Sequence, residues 1–75
     1  MSLPLSWSMR LALQWMREAA MRGSDPHGIV ANTMDSPYQS SGQVWISIAT
    51  GRALERRGLI RIEDEGDAYL TSDAP

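Results

Sequence analysis

Apolar side chains recur at helical spacing through residues 6–22. At about 100° per residue, Met9, Ala12, Leu13, Trp15, Met16, Ala19 and Ala20 fall on one face, with Arg10, Gln14, Arg17 and Glu18 opposite. Ser6 or Ser8 supplies a hydroxyl for the N-cap, and Gly23 suits the left-handed residue that ends a helix. This segment predicts one amphipathic helix.

The pattern then weakens. Ser24–Asp25–Pro26–His27–Gly28 is turn chemistry. The run 29–34 reads as a short strand or a weak helical turn, with Ile29 and Val30 favouring a strand. Residues 35–42 read as a loop. Residues 44–57 read as the second helix, with Ser41 as a candidate cap and Gly58 as its stop. Its core side holds Ile46, Thr50, Ala53 and Leu54. Its other side holds Trp45, Ile48, Ala49, Arg52, Glu55 and Arg56. Residues 59–62 and 68–70 alternate as two strands of a hairpin across the turn 63–67, where Gly66 can take a positive φ. Residues 72–75 read as a frayed tail of a single domain spanning 1–75.

The expected fold class is therefore α+β: two main helices and a C-terminal β-hairpin, with a third short strand or helix near 28–34. At 75 residues the chain supports one small core. It contains no cysteine, so disulfides, thiolate chemistry and cysteine metal sites drop out. That fits a reducing cytoplasm, the expected location. No run reaches the length of a membrane span, and the apolar start lacks the basic opening of a signal peptide.

Charge changes the picture more than composition does. All seven basic residues are arginine, and the formal net charge is −2. Residues 39–62 carry four arginines and one glutamate, whereas residues 63–75 carry five acids and no base. A basic helix is thus followed directly by the acidic stretch Glu63, Asp64, Glu65, Asp67. Duplex DNA repels such a turn.

The segment 46–71 resembles the recognition helix and wing of small bacterial and phage winged helix-turn-helix proteins. The matching positions are Thr50, Arg52, Ala53, Leu54, Arg57, Gly58, Leu59, Tyr69, Leu70 and Thr71. Residues 5–13 are similar to the first helix of the same proteins. The resemblance implies a winged-helix-like domain with Trp45, Ile48, Arg52 and Arg56 on its partner-facing helix. Two features depart from the pattern: no middle helix is evident, and the hairpin turn carries acids where a DNA-gripping wing carries bases.

Candidate catalytic chemistry is sparse. His27 is the lone histidine, placed in a turn where a solvated role is the ordinary one, and no second imidazole is available as a base. The spacing of Glu63, Asp64, Glu65 and Asp67 does not follow a calcium-binding loop, and solvated hairpin turns are commonly acidic. No glycine loop for phosphate is present. The expectation is a non-enzymatic protein with no metal and no cofactor.

Two functions compete. In one, Arg52 and Arg56 read duplex DNA and the protein is a transcriptional regulator. In the other, the chain is a small binding module of phage or mobile-element type. It docks on a host protein complex with a basic surface and blocks it, as anti-CRISPR-type inhibitors of nucleic-acid machinery do. Trp45, Ile48, Arg52 and Arg56 would then form an interface patch, and the acidic hairpin would fill a basic groove. Packing of Trp45 and Ile48 under the 24–43 segment is the plain structural reading of that pair. A homodimer seam through the two is another. The charge distribution favours protein binding.

Overall fold

The computed structural model describes residues 5–71. Its elements are α1 (Trp7–Met21), β1 (Gly28–Ala31), β2 (Tyr38–Ser40), β3 (Gln43–Ser47), α2 (Ile48–Arg56), β4 (Ile60–Glu63) and β5 (Asp67–Leu70). The fold is α+β, with two helices and a five-stranded sheet in the order β2-β3-β1-β5-β4. Within it β1 and β3 run parallel, and every other neighbouring pair is antiparallel. The tail expected at 72–75 lies outside the described residues.

Helix α1 forms where the periodicity places it. Ser6 caps it by accepting a hydrogen bond from the Met9 N–H, and Met9, Ala12, Leu13, Met16 and Ala19 are buried. Both helices end at a glycine, Gly23 and Gly58, in the left-handed region. The C-terminal hairpin also forms as expected, with Ile60 opposite Leu70 and Ile62 opposite Ala68. The alternative left open at 28–34 resolves as a strand, over Gly28–Ala31.

The middle of the chain departs from the sequence reading. Residues 44–47 belong to β3 rather than to the second helix, and α2 begins at Ile48. The physical reason is local. Val44, Trp45 and Ile46 are β-branched or aromatic and alternate between two faces, with Val44 and Ile46 buried and Trp45 half-buried. Ser47, not Ser41, is the cap: its hydroxyl accepts from the Thr50 N–H. Ser41 instead occupies the β2–β3 turn with Gly42, at φ values of 54 and 77°. Two successive positive φ angles give the type I′ geometry that matches the twist of the flanking strands. The expected loop at 35–42 therefore contains an edge strand.

The core lies on one face of the sheet. Helix α1 packs on β3 and β5, while α2 packs on β4, β3 and β1. Met16, Ile46, Leu54, Ile60 and Val44 are the largest fully buried side chains. Truncating one such side chain to alanine costs about 2–5 kcal/mol, a large share of the stability of a small domain. Two glycines make the close approaches that this packing needs. A Cβ on Gly51 would stand 2.8 Å from a Val30 methyl, so α2 crosses β1 where only hydrogen fits. A Cβ on Gly66 would stand 2.3 Å from the Val30 carbonyl oxygen. Gly66, at φ 110°, also accepts the Val30 N–H at 2.8 Å, extending the β1–β5 ladder into the turn.

Candidate functional site

Strand alternation sends every second side chain away from the helices. The registers place these outward residues in one transverse row. Tyr38 faces Trp45, Trp45 faces Ile29, Ile29 faces Asp67, and Asp67 faces Glu63. The row crosses all five strands, about 19 Å at the usual strand spacing. One end is aromatic and aliphatic, and the other is acidic. No described element covers this face.

The aromatic end is ordered by ring stacking. Tyr38 and Trp45 have ring centroids 6.1 Å apart and planes inclined by 11°, an offset stack. The Trp45 indole N–H donates to the Ser40 carbonyl at 3.3 Å, which ties it to the edge strand. Beside it, the side-chain oxygen of Gln43 is buried without a hydrogen-bond partner.

A second group of polar side chains occupies the β5 side. The Tyr69 hydroxyl donates to Asp25 at 2.8 Å. Arg61 lies 5.0 Å over the Tyr69 ring and forms an ion pair with Glu63. The hydrogen bond to Asp25, burial, and the negative charges of Asp25, Asp67 and Glu63 together push the Tyr69 hydroxyl up to about 12. His27 stands edge-on to Tyr69 at 5.3 Å, and its Nδ1 accepts the Leu70 N–H at 3.0 Å. The lone histidine is therefore half-buried and continues the β5 ladder, rather than standing solvated in a turn.

The structure divides the residues that the sequence groups together. Ile48, Arg52 and Arg56 form one exposed stripe on α2, each a helical turn from the next. Trp45 is not part of that stripe, because β3 turns it onto the open sheet face. Neither Trp45 nor Ile48 completes the core: Ile48 is 43% exposed, and Trp45 packs against Tyr38. Glu63 and Asp67 face each other at the base of the β4–β5 turn and join the open face. Asp64 and Glu65 project from the turn and are exposed. The sequence reading did not place Tyr38, Ile29, Tyr69 or Asp25 in a site. The alternation Gln43–Ser47 and the Ser41–Gly42 turn pair are the signals that point to Tyr38 beside Trp45.

Among the described residues, no three His, Asp or Glu side chains come together to hold a metal ion. No helix of those residues is long and apolar enough to cross a membrane. Comparison with protein families, with curated proteins and with solved structures finds no match for this chain.

Proposed function

We propose that the protein is a small non-enzymatic binding module that docks on a basic protein surface through the open face of its sheet. The observation that carries this reading is the transverse row Tyr38–Trp45–Ile29–Asp67–Glu63, which joins an aromatic anchor to an acidic strip on an uncovered face. Tryptophan and tyrosine are common anchors of protein interfaces, and complementary charge steers a partner and fixes its register. A host complex that handles nucleic acid offers such a basic surface. Blocking it, in the manner of an anti-CRISPR-type inhibitor, is the biological role that this chemistry suits.

A second reading rests on a separate observation. Ile48, Arg52 and Arg56 line one exposed face of α2, and two arginines there suit phosphate contacts of the winged-helix type. The two readings separate by charge reversal. Titration with an arginine- and lysine-rich peptide and with a random-sequence duplex, each at low and higher salt, tests both. Peptide binding that weakens with Glu63→Gln and Asp67→Asn supports the sheet face. Duplex binding that is lost with Arg52→Glu and Arg56→Glu, and strengthened by neutralising Glu63, Asp64 and Glu65, overturns it in favour of DNA.

A further inference from the structure

We infer that the open sheet face selects arginine over lysine in its partner, with the guanidinium seated on Asp67. This inference rests on the reading of that face as a docking surface for a basic protein. Asp67 is half-buried, and its side chain makes no hydrogen bond or ion pair among the described residues. It lies between Ile29 on one side and Glu63 on the other, so an incoming aliphatic stem has apolar surface to cross before it reaches the carboxylate. Glu63 is already committed to Arg61. With Asp25 accepting the Tyr69 hydroxyl, Asp67 is the acid of this face left, among the described residues, for an outside cation.

The same face already holds one guanidinium in this manner. Arg61 stacks over Tyr69 while pairing with the carboxylate of Glu63. The row beside it offers related groups in a different arrangement. Asp67 supplies the carboxylate, Ile29 the floor, and Trp45 the nearest aromatic on the far side. Trp45 and Asp67 are two strands apart, about 10 Å, which is within the span of one arginine and its neighbour in a bound segment. A guanidinium is planar, pairs with a carboxylate through two N–H groups, stacks on rings and loses its water readily. An ammonium does none of these as well.

The test uses the full chain and two synthetic peptides of equal length and charge, one arginine–glycine and one lysine–glycine. Binding is measured by calorimetry at low salt, and the site is located by backbone amide shifts. The expected result is that the arginine peptide binds about two- to five-fold more tightly, the upper range of an exposed ion pair with good two-point geometry. The shifts should centre on Ile29 and Asp67. Asp67→Asn should erase the preference. Asp64→Asn, which removes the same charge from the exposed turn, should leave it intact. Equal binding of the two peptides, or equal weakening by the two variants, would overturn the arginine seat and leave the basic-partner reading standing. No binding of either peptide would remove both.

Discussion

Tyr38 and Trp45 sit directly opposite each other on neighbouring antiparallel strands, with their rings stacked 6.1 Å apart. The pair ties the three-residue edge strand β2 to the rest of the sheet. It also forms the aromatic end of the open face. An edge strand this short has few ladder hydrogen bonds of its own, so cross-strand side-chain contact supplies much of its order.

Tyr38→Ala is therefore expected to lower unfolding stability by about 1 kcal/mol while leaving the fold intact. Chemical denaturation followed by far-UV circular dichroism measures the loss. The near-UV signal of the stacked rings should fall with it, and amide exchange in β2 should rise. Unchanged exchange at Gln39 and Ser40 would mean that the ring stack does not hold the edge.

A second relationship fixes how closely α2 approaches the sheet. Gly51 is buried against Val30, and a methyl group there would meet the Val30 side chain at 2.8–3.0 Å. Valine has a stiff χ1 and cannot swing aside as a longer side chain would. In an unobstructed helix, alanine for glycine gains about 1 kcal/mol. Here Gly51→Ala should instead destabilise by about 1–3 kcal/mol through overpacking. In a Val30→Ala background the same change should turn neutral or favourable. A double-mutant cycle by thermal or urea unfolding reads this coupling directly, and additive effects would contradict the close contact.

The Tyr69–Asp25 contact links stability to alkaline pH. Tyr69 is the donor, so the contact needs the neutral phenol. Its hydroxyl is raised from 10.0 to about 12, led by the hydrogen bond to Asp25. A raised folded value means that the contribution is fully present below pH 10 and is lost as pH climbs through 10 to 12. Ultraviolet titration in a Tyr38→Phe background, which leaves one tyrosine, should give a midpoint near 12. Adding Asp25→Asn should move that midpoint down towards 10. A midpoint that stays near 12 without the Asp25 charge would assign the shift to burial and to the charges of Asp67 and Glu63 instead.

Much of this architecture was legible in the chain. The period of α1 is carried by seven apolar residues on one face, and the Ser6 hydroxyl is close enough in sequence to cap it. The hairpin 60–70 is a local object whose alternation and glycine turn are adjacent in the chain. The region 44–47 was harder, because Val44, Trp45 and Ile46 run straight into a true helix and their spacing suits both a strand and a first helical turn. Ser47, three residues before Thr50, marks the boundary, and the β-branched run before it marks the strand.

The candidate site was legible only in pieces. Sequence alone determined the acidic hairpin, the arginines of α2, the apolar face of α1 and the absence of cysteine, because each depends on residues near one another in the chain. The tertiary structure decided that Trp45 parts from Ile48, Arg52 and Arg56, and that it joins Tyr38, Ile29 and Asp67 instead. Trp45 and these three partners come from four different strands. Their meeting depends on the parallel pairing of β1 with β3 and on the register Ile29–Trp45, where a slip of one residue would send each of these side chains to the opposite face. Local propensity sets which segments become strands, but it holds no information about which strand lies beside which. That order follows from how α1 and α2 cover a single face of the sheet, and it is what places an aromatic anchor in line with an acid.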